Sequence, residues 1–242
     1  MENAAWHLLF QGARDAGITL ELEKRNLYEK YGEMLMDWNQ RMNLTAIEDM
    51  ESIAVKHFLD SIAVLPRIPE IQRPGIRLVD VGTGAGFPGV PFKIQQPQLY
   101  VLLLDSLAKR IGFLNALLKE LDVREGIQTR HDRAEDAARD PVCRECFDIA
   151  IARAVAGLPV LAEYCLPFVR VGGLFAAMKG PDAGAEVHLA LSALKELGAE
   201  VERVDSYYID KNLGRSLVLI RKKRHTPAYY PRKAGIPARK PL

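Results

Sequence analysis

The sequence predicts a doubly wound α/β fold: a mostly parallel sheet closed by an antiparallel pair and preceded by a helical extension. Three observations predict it. Between residues 76 and 197, short apolar runs alternate with helix-like segments, the pattern of a parallel sheet with right-handed crossovers. The last two apolar runs are separated only by residues 210–216, too few for a parallel crossover, so these runs must pair antiparallel. The residues before Pro66 place apolar side chains at helical steps.

In chain order, Leu27, Tyr31, Met34, Leu35, Trp38 and Met42 form one helical stripe. A second runs through Ile53, His57, Phe58, Ile62 and Leu65 and stops at Pro66. Arg73-Pro74-Gly75 then punctuates the chain. Strands are expected at residues 76–81, 99–105, 127–131, 147–152 and 174–179, with a helix at 106–121. A further helix is expected at 183–197, with Leu189, Leu194 and Leu197 toward the core and Gly198 closing it. Residues 201–209 and 217–220 supply the final antiparallel pair. The expected organisation is an extension at 1–72, a core at 73–224 and a basic tail at 225–242.

Composition narrows the function classes. The 242 residues include 33 Lys+Arg and 31 Asp+Glu, a net charge of +2, and 48% are hydrophobic, which excludes disorder as the main state. Apolar runs such as Val101 to Leu104 are far too short to cross a bilayer, so no membrane partner is expected. The start of the chain lacks a charged segment followed by an apolar one, and a cytoplasmic location is expected. Three cysteines do not make a disulfide framework. Cys143 and Cys146 have CxxC spacing but lie just before a strand without two further soft ligands, so packing is expected and no metal site. No heptad seam demands a dimer, and a monomer is expected.

The charge is unevenly spread. Residues 221–242 hold eight basic and no acidic groups, leaving 25 basic against 31 acidic before them. With Tyr229 and Tyr230, such a tail can contact phosphates and stack on bases, or it can simply be solvated. If it contacts RNA, deleting residues 229–242 should weaken RNA binding and leave a small-molecule site elsewhere unaffected.

The chemistry centres on Asp80-Val81-Gly82-Thr83-Gly84-Ala85-Gly86-Phe87-Pro88-Gly89. Gly84, Gly86 and Gly89 fit GxGxxG, a dinucleotide signature that is weak alone. Asp80 changes the reading, because a carboxylate beside a pyrophosphate is repulsive, whereas S-adenosylmethionine has no phosphate and carries an ammonium and a sulfonium. A mostly parallel sheet with an antiparallel end is likewise the pattern of S-adenosylmethionine methyltransferases. Asp105 closes the second strand, where a carboxylate can accept both ribose hydroxyls, a device NAD enzymes share. Ala134 and Glu135, after the third strand, are placed to meet an adenine. Arg153, after the fourth, can reach a carboxylate or phosphate through its planar fork, and Lys179 follows the fifth at the same rim. His57 and Asp60 share a helical face and fit either the reaction centre or packing; Asn43 and Thr45 fit a helix cap equally well.

Taken together these residues resemble the bacterial 16S ribosomal RNA guanine-N7 methyltransferases, also called glucose-inhibited division protein B. The matching segments are Trp38-Asn39, Asn43-Leu44-Thr45, Lys56-His57-Phe58-Leu59-Asp60-Ser61, Asp80 to Gly89 and Asp105-Ser106-Leu107-Ala108-Lys109-Arg110. They continue through Arg153-Ala154, Met178-Lys179-Gly180 and Arg232-Lys233-Ala234-Gly235-Ile236-Pro237. The resemblance implies S-adenosylmethionine as donor, with Gly82, Phe87, Ala134, Glu135 and Arg153 in contact with it and Ser106 beside Asp105 in the matched motif. It implies 16S rRNA, the small ribosomal subunit or its assembly intermediate as partner, with N7 of one guanine as acceptor. Guanine N7 has a free in-plane lone pair, so no general base is obligatory and proximity can carry the reaction. Arg153, Lys179 and His57 are the candidates for any side-chain role in catalysis.

Overall fold

The computed structural model describes residues 4–210 and 213–242; residues 1–3, at the start of the expected extension, and 211–212, inside the final link, lie outside the described residues. α1 (Ala4–Asp15) buries Ala5, Trp6, Leu9 and Ala13, one stripe of a 3.6-residue repeat. α2 (Leu22–Met42) buries Tyr28, Tyr31, Gly32 and Leu35 and ends at Asn43 in the left-handed region, φ 49, a conformation Asn tolerates better than most residues. α3 (Met50–Ile53), a π-helical stretch (Ala54–Leu59) and α4 (Asp60–Ile62) run end to end. Asp49 opens them by accepting the Ser52 N–H at 2.7 Å.

The remaining elements alternate as the apolar runs require: β1 (Arg77–Val81), α5 (Gly89–Gln95), β2 (Tyr100–Asp105), α6 (Ala108–Glu120), β3 (Ile127–His131), α7 (Ala134–Ala137) and β4 (Phe147–Arg153). They continue with α8 (Leu158–Cys165), β5 (Val169–Lys179), α9 (Gly184–Glu196), β6 (Ala199–Tyr208), β7 (Gly214–Lys222) and α10 (Ile236–Arg239). The sheet order is β3-β2-β1-β4-β5-β7-β6. Only β7 runs against its neighbours, slotted between β5 and β6. The chain therefore winds outward from β1 in one direction and from β4 in the other. That switch opens a crevice at the carboxyl ends of β1 and β4.

Strand alternation builds two cores. Leu78, Leu103, Ile149 and Ile151 face the extension, α5 and α6. Val79, Val81, Leu104, Ala150 and Ala152 face α8 and α9. No described helix is long and apolar enough to cross a membrane.

Two sequence expectations are corrected. The fifth strand starts at Val169 rather than residue 174. Val169 pairs with Phe147, and regular pairing resumes at Leu174 after a register shift that Gly172, at φ 81, lies within. Leu189 does not face the core; it is 68% exposed. The buried face of α9 is made by Ala190, Ala193 and Leu194, and the two alanines let the helix approach closely.

Candidate functional site

The glycine-rich loop is shaped from below by Asp80. This side chain is fully buried, and its Oδ2 accepts Thr83 Oγ1–H at 2.7 Å and the Gly89 N–H at 2.8 Å. Burial pushes its pKa up to about 6. Asp80 lines none of the cavities described below and acts as a strut for the loop; its Oδ1 is buried without a hydrogen-bond partner. Because the first N–H of α5 is already held by this carboxylate, the helix start is a poor seat for a pyrophosphate. Gly86 also sits beneath the surface: at φ 101, an added Cβ would lie 2.5 Å from the Tyr31 hydroxyl.

Above the loop lies a cleft of about 410 Å³, bordered by Gly82, Gly84, Phe87, Asp105, Ser106 and Arg153. Gly84, at φ 62, has nothing within 4 Å of where a Cβ would stand, so its bare backbone faces open space that a ligand can approach. Asp105 is 2% exposed. Its Oδ2 accepts the Gly84 N–H (2.9 Å) and Arg110 Nη1–H (3.1 Å), and its Oδ1 accepts the Leu107 N–H (2.9 Å). A smaller recess of about 130 Å³ continues past Ser106 to Ala134, Glu135 and Tyr164. Strand ends β1, β2 and β3 thus bring Gly82, Asp105, Ser106, Ala134 and Glu135 to one continuous groove.

Phe87 closes one side. Its ring stacks with His57 (4.5 Å between centroids, 14° between planes) and with Tyr31 (5.2 Å, 3°), and the Arg153 guanidinium lies 5.1 Å from its centroid. Tyr31 donates its hydroxyl to the Ala85 carbonyl, joining α2 to the loop.

Arg153 Nη1 donates to Asp60 Oδ2 at 2.9 Å and to the Lys56 carbonyl at 3.2 Å; Nη2 lies 3.2 Å from His57 Nδ1. A guanidinium only donates, so His57 Nδ1 accepts, and Nε2 carries the proton it gives to Thr45 Oγ1, 2.8 Å away. Burial first, and then the Arg153 charge, push the His57 pKa down to about 3. The imidazole is therefore neutral. Asp60 Oδ1 accepts from Arg215 Nε at 2.8 Å, so one carboxylate, 4% exposed, holds two arginines.

On the far side of His57, Arg153 and Ala154 opens a second cavity of about 400 Å³, flanked by Lys56, Met178, Lys179 and Glu186. Lys179 Nζ donates to the Ala156 carbonyl (2.9 Å) and pairs with Glu186 (2.7 Å). Another cavity, about 580 Å³, lies among Arg77, Tyr100, Gly126 and Phe147 at the opposite ends of the strands and holds none of these groups.

The structure brings every candidate side chain to this end of the sheet except Asp80 and Gly86, which lie under it. Sequence reasoning missed Arg215, Tyr31, Tyr164 and Glu186. Arg215 is 155 residues from Asp60, and no local pattern could have joined them. Cys143 is buried against Arg130, whose Nη1 lies 3.2 Å from its Sγ, and Cys146 is half-buried.

The family described as rRNA small subunit methyltransferase G matches residues 24–213. The chain is similar to the Ribosomal RNA small subunit methyltransferase G of Acetivibrio thermocellus, with 49% identity over 97% of this chain and 96% of the relative. It is similar to the protein of the same name from Desulfitobacterium hafniense, with 46% identity over 93% of this chain and 92% of the relative. Among solved structures, TYW2 of M. jannaschii in complex with AdoMet has a TM-score of 0.53 at 12% identity, covering 67% of this chain and 76% of that one. The cyclase SpnF gives 0.52 at 14% identity, covering 66% and 80%. Likeness at these identities is one of fold, and a fold alone does not fix a reaction.

Proposed function

The chain belongs to the rRNA small subunit methyltransferase G family, and on that premise we propose that it transfers the methyl group of S-adenosylmethionine to N7 of a guanine in 16S ribosomal RNA. The observation that carries the reading is the pair of adjoining cavities sharing His57, Arg153 and Ala154 as a common wall. One cavity suits the donor and the other suits a base, so the two reactants meet at that wall.

The donor cleft fits its ligand on its own features. The open backbone at Gly84 admits close approach. Asp105 presents a carboxylate at a strand end, where a ribose diol would take over the place of Arg110. Ala134 and Glu135 lie at the recess where the adenine end would rest, and Gly82, Ser106 and Phe87 line the space between. When bound, S-adenosylmethionine supplies an electrophilic methyl on a positively charged sulfur.

The protein's own residues then have a limited task. Guanine N7 needs no deprotonation, so the site has to hold the base in line and exclude competing water. His57, kept neutral by burial and Arg153, adds no positive charge beside a cationic donor and a product base that is itself cationic. The carboxylates of Asp60 and Glu186 border the base cavity and are held by Arg153 and Arg215 and by Lys179 respectively, which fixes these cations around the opening. Arg153, Lys56, Lys179 and Arg215 around the same opening suit RNA phosphates. N7 lies on the Hoogsteen edge, out of reach in a paired A-form helix, so the base must enter unpaired.

The test is transfer of labelled methyl to 30S subunits and to naked 16S rRNA, both from cells lacking the corresponding gene, followed by mapping of the modified base. Label at one guanine N7 supports the reading, and the better substrate identifies the form the enzyme meets. Donor binding without transfer to either RNA overturns the acceptor assignment.

A further inference from the structure

The basic C-terminal segment is not laid out as a free arm. Arg144 Nη2 donates to the Thr226 carbonyl (2.9 Å) and Nη1 to that of Tyr230 (2.8 Å). Arg139 Nη2 donates to the carbonyls of Tyr229 and Pro231. In return the segment's own donors are taken by buried carboxylates. Glu163, 1% exposed, accepts the Arg232 N–H (2.7 Å) and that residue's Nε–H (2.9 Å) and Nη2–H (2.6 Å). Glu135 Oε1 accepts the Gly235 N–H at 2.8 Å. Tyr230 and Pro237 are buried against the body.

Glu135 is the meeting point. It borders the recess beyond Ser106, as does Tyr164, the neighbour of Glu163 on α8. Glu135 lies in α7, a helix of only four residues. A single turn is not self-supporting, since nucleation costs more than one turn returns. What fixes the position of α7 is therefore its ties to other parts of the chain. Charged hydrogen bonds into buried carboxylates are the stronger kind.

We propose that the segment around Arg232 and Gly235 is a positioning device for the methyl donor: by holding Glu135 and Glu163 it sets the wall of the recess that receives the adenine end. This rests on the donor-cleft reading above. It also reverses the expectation that removing the tail would leave the small-molecule site unaffected. Arg232, the tail's first basic residue after His225, spends its charge on Glu163, while Lys233, Arg239 and Lys240 remain exposed.

The test compares Arg232→Ala and Gly235→Pro, with Lys233→Ala as the exposed control, in the full-length protein. Gly235→Pro removes the N–H that Glu135 accepts, and φ 80 excludes proline, so it breaks the tie from outside the cleft. Calorimetry with S-adenosylmethionine should show about tenfold weaker donor binding for the first two and wild-type binding for the control, the scale of one lost charge-assisted hydrogen bond. In methyl transfer, the donor KM should rise while kcat stays within about twofold, and the salt dependence of RNA binding should not change. Circular dichroism melting checks that the variants fold; if Arg232→Ala does not, Gly235→Pro decides. Wild-type donor affinity in the folded variants overturns the inference alone. A wild-type protein that binds no S-adenosylmethionine overturns the donor-cleft reading as well.

Discussion

The two ends of the chain flank the donor groove, and they are attached with different balances of apolar and polar contact. The N-terminal helices dock chiefly through rings and aliphatic groups, with Trp6, Tyr28, Tyr31 and Phe58 buried in the same core as Phe87, and Asp60 adds ion pairs to Arg153 and Arg215. The C-terminal segment docks through guanidinium–carbonyl bonds and two buried carboxylates. An apolar attachment is continuous with the core, so loosening it opens the fold. A polar attachment is a set of separate ties, so it can be released one tie at a time. The first governs whether the groove exists and the second how well its far wall is set.

Phe87→Ala is the severest way to break the apolar attachment. It removes the ring on which His57, Tyr31 and Arg153 converge, and thermal melting should show a loss of about 3–5 kcal/mol. A cost below about 1 kcal/mol would mean that the extension does not depend on this ring. Gly84→Asp leaves both attachments intact and fills the groove between them. It places a second carboxylate beside Asp105 at a left-handed position that Asp tolerates, so donor affinity should fall by at least about 100-fold with little change in melting. Undiminished affinity by calorimetry would displace the donor from this loop.

Arg144→Ala tests the polar attachment. It frees carbonyls of Thr226, Pro227 and Tyr230 and should cost about 1–3 kcal/mol, with the segment becoming protease-sensitive before the core unfolds. Simultaneous loss of both would show that the two attachments are not separable.

The remaining effect is in the pH profile. His57 is held at about 3 against an ordinary 6.5. The unfolded chain therefore takes up a proton that the folded chain refuses, and the contribution of His57 to stability is complete above about pH 6.5 and lost as pH falls toward 3. Asp80, raised from 3.8 to about 6, acts in the opposite sense, its contribution declining as pH rises through that window. His57→Asn should flatten the acid limb of a stability–pH curve, and kcat/KM of the wild type should show no His57 titration between pH 6 and 8. An inflection there would mean that the imidazole is protonated in the working enzyme.

The sequence made much of this legible where one element holds the information. The strand ends placing Gly82, Asp105, Ala134 and Arg153 together follow from apolar runs followed by polar residues, and the antiparallel end followed from the shortness of its link. What stayed hidden depends on distant pairing. Asp80 reads as a ligand because charge near a glycine loop is visible, whereas its burial under the loop is not. The tail reads as free because Glu135 and Glu163 lie 100 and 69 residues from their partners. Leu189 misled because larger side chains stand out in a pattern whose real contact face is alanine.

The position of β7 has a consequence for how the molecule is made. Its residues are made after those of both its neighbours, yet they occupy an interior slot in the sheet. Until they emerge, β5 and β6 cannot be joined, and both offer unpaired backbone of the kind that recruits other strands. The nascent chain thus carries an open seam from the completion of β5 until β7 emerges. Chaperone dependence and aggregation during expression should track this one late-arriving strand rather than overall stability.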